Sequence, residues 1–238
     1  MEYKYTGIVL NKKDIRETDR IYNIYTLEQG KISAMARGVR KSKSKLAGHL
    51  ENYCYIDLTV MKNRGMGNIS SSIVENNFKN LRNDYYSLNK VLRSTKLLMR
   101  LLNDQEKDNE VFYLYLDFLE SLDKISLSED EVMKDLLTQG FIFKLLDNMG
   151  YKLEINKCVG CGENLAAQNN FFDYSEGGIL CKRCASEAKN IVPISIEAIK
   201  IIRIFFQNKI CHLSKLKINV RQARELDRLS QVFTKWIC

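Results

Sequence analysis

The residues with the plainest chemistry are four cysteines, in Cys158-Val159-Gly160-Cys161 and, after nineteen intervening residues, Cys181-Lys182-Arg183-Cys184. Two CxxC pairs at this separation have the spacing of a metal site. Cysteines three positions apart can turn both sulfurs toward one ion, with Gly160 and Gly162 giving the backbone room, and two such knuckles complete a tetrahedron of thiolates. Lys157, Lys182 and Arg183 flank the sulfurs and offset the roughly −2 charge of a four-thiolate zinc centre. A pair of disulfides does not suit a reducing compartment. A thioredoxin-like redox motif needs one CxxC on a strand-to-helix turn, not two in a glycine-rich loop. An iron–sulfur cluster would use the same four thiolates. The expected group is Zn2+ on Cys158, Cys161, Cys181 and Cys184, and its role is structural because four protein ligands leave no position for water.

The second constellation is basic. No acidic residue occurs between Glu28 and Glu51, and Arg37-Gly38-Val39-Arg40-Lys41-Ser42-Lys43-Ser44-Lys45 lies within that stretch. Residues 1 to 80 hold fourteen Lys or Arg against eight Asp or Glu, so this third of the chain carries +6 of the formal +8. Long cationic side chains neutralise a phosphate backbone and release its counterions. Serine hydroxyls and glycine amides add hydrogen bonds to phosphate. The expected DNA contacts are Arg37, Arg40, Lys41, Lys43 and Lys45, with Lys62 and Arg64 before the Gly65-Met66-Gly67 turn as a second point of contact. Tyr53 and Tyr55 fall on the outward face of a strand, placed either to stack on bases or to pack against the rest of the protein. Nothing in the pattern suggests base-specific readout.

Catalytic candidates are scarce. The two histidines, His49 and His212, have no matched carboxylate, and no H-x-E element accompanies the cysteines. Cys54 alternates with apolar residues and reads as core; Cys211 and Cys238 suggest no nucleophile. The expectation is a protein that is not an enzyme.

These groups must be positioned by elements that the pattern also predicts. Tyr3–Leu10, Ile21–Thr26, Lys31–Arg37, Tyr53–Val60 and Ile69–Val74 read as five short strands, rich in aromatic and β-branched residues and divided by glycine turns. Five such strands suggest a small closed barrel of the OB-fold kind. From residue 84 the period becomes helical, through Tyr85, Leu88, Leu92, Thr95, Leu98 or Met99, and Leu102. Val111–Leu122 forms a second helix. Ser128-Glu129-Asp130-Glu131 opens a third as a capping box, and Gly150 suits its end. Ser195 caps a helix carrying Ile199, Ile202 and Phe206. Asn219-Val220-Arg221-Gln222 opens the last, with Val220, Ala223, Leu226, Leu229, Phe233 and Trp236 on one stripe. The fold class is thus α+β with several domains. A five-stranded barrel spans residues 1–80, and a helical bundle spans 81–238 with a zinc-binding insertion at about 155–190.

Composition is ordinary for a globular chain, at 45% hydrophobic and 28% charged residues. Residues 2 to 20 alternate charges with no apolar h-region, and no run approaches the roughly 20 apolar residues that span a bilayer. The expectation is a cytoplasmic protein with no membrane partner. An excess of positive charge points to a polyanion.

Several motifs, in order, resemble the RecO family of bacterial DNA repair and recombination mediators. They are Gly7-Ile8-Val9-Leu10, Glu17-Thr18-Asp19-Arg20-Ile21, Gly30-Lys31-Ile32, Ala36-Arg37-Gly38-Val39-Arg40-Lys41 and Ser44-Lys45-Leu46-Ala47-Gly48. Gly140-Phe141 to Gly150-Tyr151, leading to Cys158-x-x-Cys161, resembles the family's approach to its zinc element. The resemblance covers essentially the whole chain. It implies an N-terminal OB-fold, a helical domain with an inserted zinc element, and a non-enzymatic role. Such proteins bind single- and double-stranded DNA and anneal complementary strands. With RecR they help load RecA onto strands coated by single-stranded-DNA-binding protein. The resemblance places the DNA contacts on Arg37 to Lys45 and the contact with that protein's acidic tail in the helical domain. A zinc-containing scaffold that binds acidic protein tails is the alternative reading.

Overall fold

In a computed structural model, which describes residues 1–63 and 65–237, strands fill the first third of the chain and helices most of the rest. Arg64 and Cys238 lie outside the described residues. Five strands, β1 (Glu2–Asp14), β2 (Arg20–Thr26), β3 (Gly30–Ala36), β4 (Tyr55–Met61) and β5 (Gly67–Asn76), pair in the closed order β1-β2-β3-β5-β4. β1 is long enough to pair β2 through one half and β4 through the other, which seals the barrel. The seam between β3 and β5 is parallel and short, Ala34 with Gly67 and Met35 with Asn68.

The run Ile8-Val9-Leu10 is buried throughout because alternate side chains of β1 meet two different cores. Val9 points inward with Tyr22, Ile24, Ile56, Leu58 and Ile69. Ile8 and Leu10 point outward and join the core of the helical half, as does Tyr25. Tyr53 and Tyr55 follow them: Tyr53 is buried in that second core, and the Tyr55 ring lies 6.4 Å from Phe112. Of the two placements open to these tyrosines, packing against the helices is the one found, and stacking on bases is not. Tyr53 also precedes β4 rather than opening it, with φ of 67°.

The helices are α1 (Lys79–Asn83), α2 (Tyr85–Leu101), α3 (Asn109–Ile125), α4 (Glu131–Asn148), α5 (Lys182–Ala185), α6 (Ile196–Gln207), α7 (Ile210–Leu213) and α8 (Val220–Ile237). Of these, α4 is the central one. It buries residues around most of its circumference, and Phe141 stacks on Phe118 at 4.5 Å. Asp130 caps α4 by accepting from the Met133 amide, so the expected start at Ser128 lies two residues too early. Ser195 caps α6 as expected, and Asn219 and Gln222 exchange reciprocal side-chain-to-amide bonds at α8. The apolar stripe of α8 is shorter than expected: Ala223, Leu226, Leu229 and Phe233 are buried, but Val220 and Trp236, at its two ends, are exposed because among the described residues no element covers the helix there. Gly150 takes φ of +90° after α4, where the Tyr151 amide returns to Leu146 O.

The buried ammonium of Lys134 reaches Asp84 Oδ2 at 2.8 Å and Ser126 O at 2.9 Å. Asp84 also caps α2. Deleting one member of a buried pair strands the other. Lys134→Ala is expected to cost about 3 kcal/mol in urea unfolding, the lower end for such pairs because Asp84 keeps some exposure to water. A change of less than a few tenths of a kcal/mol, no more than a surface substitution gives, would contradict this.

Between α4 and α6 lies a four-stranded sheet in the order β6-β8-β7-β9, from β6 (Glu154–Cys158), β7 (Asn170–Asp173), β8 (Gly178–Leu180) and β9 (Ile191–Ile194). It is tied to the helices by Phe172 against Phe233 at 5.5 Å and by Arg203, which donates to Ile155 O. Among the described residues no helix is long and apolar enough to cross a membrane.

Candidate metal centre and basic loop

Cys158, Cys161, Cys181 and Cys184 converge at one end of this small sheet. Their sulfurs all lie within 4.8 Å of one another, and Cys161 Sγ and Cys181 Sγ are 4.0 Å apart. They form the one such cluster of His, Cys, Asp or Glu found among the described residues, and they could hold a metal ion. Strand pairing brings the knuckles together: the Val159 amide donates to Ile179 O, and the Cys181 amide donates to Cys158 Sγ at 3.3 Å. Both glycines of the first knuckle are needed. A Cβ on Gly160 would press on Cys184, and Gly162 holds φ of +75°.

Burial raises the Cys158 thiol, but the amides of Cys181, Cys161 and Gly160 outweigh it and bring the pKa down to about 6. Burial and the neighbouring sulfurs push Cys184 up to about 12. Four crowded sulfurs thus resist sharing negative charge until a cation joins them. The Arg183 guanidinium lies against Cys161 and Cys184, and the contact raises its own pKa. Apolar support is thin, with only Cys158, Leu180 and Ala185 fully buried in the cluster under the sulfurs.

The basic segment leaves β3 at Ala36 and returns to β4 at Tyr55. It folds over one end of the barrel as a chain of turns, in which Lys41 N donates to Gly38 O and Ser44 N donates to Lys41 O. Val39 and Leu50 plug into the barrel core, and Leu46 and Ala47 pack against it. The β1–β2 connection braces the segment. Asp19 Oδ1 accepts from the Gly38 amide at 2.8 Å, which outweighs the carboxyl's burial and holds its pKa below the ordinary range. That tether is present at neutral pH and is released only as pH falls through the lowered value. Gly38 itself takes φ of +64°.

The sequence treats the cations of this region alike, and the structure separates them. Arg37, Lys41, Lys43, Lys45 and Lys62 are exposed and make no ion pair among the described residues. Arg40 is only partly available, because its guanidinium pairs with Asp14 at 3.5 Å and donates to Arg16 O. Lys31, in the same acid-free stretch, is engaged elsewhere. Its ammonium meets Asp104 at 3.2 Å and the carbonyls of Met99 and Leu102, locking the barrel to the end of α2. Lys62 sits beside Lys31, Ser33 and Ala34 at the β3–β5 seam. His49 accepts a structural place, with Nδ1 at 2.6 Å from Ser72 O.

Sequence reasoning missed a second basic feature. A groove of about 710 Å3 between α2, α4 and α8 is rimmed by Lys90, Arg93, Lys96 and Arg100 over Leu97 and Ile142, with Lys235 and one carboxylate, Asp227, on the α8 side; Lys90 is paired with Asp135. The near-helical spacing of the four α2 cations was its signal.

Both parts of the chain match family profiles: residues 1–78 match "Recombination protein O N terminal" and residues 82–236 match "Recombination protein O C terminal". The fold and these matches define a DNA repair and recombination protein. Curated relatives include the DNA repair protein RecO of Dehalococcoides mccartyi (strain ATCC BAA-2266 / KCTC 15142 / 195), 32% identical over 226 residues, which is 95% of this chain and 87% of that one. The RecO of Acetivibrio thermocellus is 27% identical over 98% of this chain and 90% of its own, and that of Roseiflexus sp. (strain RS-1) is 28% identical over 99% and 81%. The chain belongs to the RecO family.

Proposed function

We propose that this protein binds DNA through the cations of the 37–45 segment and acts as a recombination mediator without catalysing covalent chemistry. It anneals complementary strands and, with RecR, helps load RecA onto single strands coated by single-stranded-DNA-binding protein. The observation that carries this reading is the set of exposed cations Arg37, Lys41, Lys43 and Lys45, with no ion pair among the described residues, displayed on an ordered segment over one end of the barrel. An electrostatic contact of this kind binds single and double strands with little sequence preference. Arg40 serves mainly to hold the segment on Asp14, and Lys62 is a separate contact.

The strand order β1-β2-β3-β5-β4 supports reading the barrel as an OB-fold. The domain boundary falls near residue 80, before the long helices. Zn2+ fits the cysteine cluster: a tetrahedral ion with Zn–S bonds of about 2.3 Å sets its sulfurs about 3.8 Å apart, close to the 4.0 Å between Cys161 and Cys181. Its role is to hold the two knuckles and the small sheet together. The protein works in the cytoplasm, associated with the nucleoid when on DNA.

The groove between α2, α4 and α8 supports a second contact, with the acidic tail of single-stranded-DNA-binding protein. Its cationic rim complements the tail's carboxylates, and its apolar floor receives side chains between them. This groove also suits the alternative reading, a scaffold for acidic protein tails, and one experiment separates the two. Complementary strands coated with single-stranded-DNA-binding protein are mixed with this protein and duplex formation is followed. Annealing well above the rate of the coated strands alone is expected. No acceleration, combined with no binding to bare DNA, would leave only the scaffold.

A further inference from the structure

The outward face of α8 holds a pattern that the DNA-binding segment does not explain. Arg221, Arg224, Arg228 and Lys235 are exposed and fall at i, i+3, i+7 and i+14, one side of the helix, with Lys235 at the stripe's end also lining the groove between α2, α4 and α8. The carboxylates of the same helix are all turned to other duties. Glu225 takes both the amide and the hydroxyl of Ser195, and Asp227 takes the amides of Gln139 and Gln231. None of the four cations makes an ion pair among the described residues; Arg228 donates to Pro193 O. The stripe runs for about 21 Å at 1.5 Å per residue.

An aromatic cleft lies where the stripe ends. Trp236 is 55% exposed and Tyr151 is 40% exposed, both large values for such rings. They line an open cleft of about 420 Å3 with Tyr174 and Lys152, and Tyr174 braces Trp236 edge-on at 5.9 Å. Glu176 is the one carboxylate in its wall. Tyr151 also borders the neighbouring concavity that Arg100 enters.

Cations in a row next to exposed, braced rings are the two components of a single-strand surface: phosphates follow the charges and bases stack on the π-faces. We infer that the α8 stripe and the Trp236–Tyr151 cleft form a second site, for one single strand of nucleic acid, in the helical domain and separate from the 37–45 segment. This rests on the reading that the protein binds nucleic acid at all. A protein with two such sites holds two strands at once.

Trp236 is the only tryptophan in the chain, so its emission reports this cleft alone. The probe is a short oligothymidylate, followed in parallel by tryptophan emission and by anisotropy of a label on the DNA. Emission should be quenched on saturation, and the quench should persist in Lys41→Ala/Lys43→Ala/Lys45→Ala. In Arg221→Gln/Arg224→Gln the quench midpoint should move at least about fivefold to higher DNA, with the salt slope of that phase lowered by about 1.4, roughly 0.7 for each lost single-strand phosphate contact. Tyr151→Ala should weaken the same phase by at least about fivefold, since base stacking is worth on the order of 1–3 kcal/mol. The glutamine variants alter only exposed side chains, and a circular-dichroism spectrum and melt confirm that they are folded. Full binding by anisotropy with unchanged emission overturns the second site and leaves the first. A quench abolished by the 41/43/45 variant but unmoved by the α8 variant is an indirect signal and also overturns it. No binding by either readout overturns the nucleic-acid reading together with this one.

Discussion

Cys158→Ser is expected to release the bound metal and to cost on the order of 5 kcal/mol of stability, less than the roughly 10–16 kcal/mol that zinc supplies to isolated fingers. The figure is intermediate because the element has two supports. Its own apolar cluster is small, and segments with so little core depend on a metal. The sheet is also held from outside, by Phe172 on Phe233, Arg203 on Ile155 O and Arg228 on Pro193 O. Metal loss should therefore unfold residues around the two knuckles first and leave the helices standing at moderate temperature. Elemental analysis should find about one zinc per wild-type chain and much less in the variant. Melting with and without a chelator should show a large downward shift for wild type and almost none for Cys158→Ser. Acid should act in the same direction. Protons compete with the ion for the thiolates, and Cys184, pushed up to about 12, gives its proton up only when a cation arrives. Metal affinity must then fall as pH falls. Wild-type protein whose melt is indifferent to chelation would refute the structural role.

The second large effect concerns DNA. Lys41→Ala/Lys43→Ala/Lys45→Ala should weaken binding by on the order of 10- to 100-fold at moderate salt and should flatten the dependence of log K on log salt by about 3, close to one unit per lost phosphate contact. The loss should be similar for every sequence and for single or double strands. These three lysines are the suitable set because each is exposed and makes no ion pair among the described residues, so their removal changes charge without disturbing a core. Arg40→Ala is a poorer probe. It frees Asp14 and loosens the segment, so it would lower affinity partly through disorder. Lys31 supplies the internal control. Lys31→Ala should lower stability, because Asp104 and two carbonyls lose their partner, while the salt slope stays as in wild type. A triple variant with unchanged slope, or a Lys31 variant with a changed one, would remove the segment from the interface.

The comparison of Lys31 with Lys41 also shows how far the sequence can be read. Both lie in one acid-free stretch, and no local feature tells them apart. Lys31 is claimed by Asp104, more than seventy residues away in sequence, once the barrel docks on α2. The tyrosines follow the same logic. Strand alternation put Tyr55 on the outer face correctly, but whether that face meets water or Phe112 is decided by the docking. The α4 cap was misplaced by two residues because Ser128 and Asp130 are equally good acceptors locally, and only the folded chain selects the second.

What the sequence determined by itself is what rests on neighbours in the chain. The two knuckles, the reciprocal Asn219–Gln222 box, the turn at Gly150 and the change from period 2 to period 3.6 each depend on residues a few positions apart, and local sterics and hydrogen bonding suffice to specify them. What only the tertiary structure decided is availability. Which lysines stay free, which rings are covered, that β1 closes on β4, and that Tyr151 and Trp236 come to line one cleft all follow from packing between distant segments. Burial and charge pairing are properties of those contacts, and no short stretch of sequence contains them.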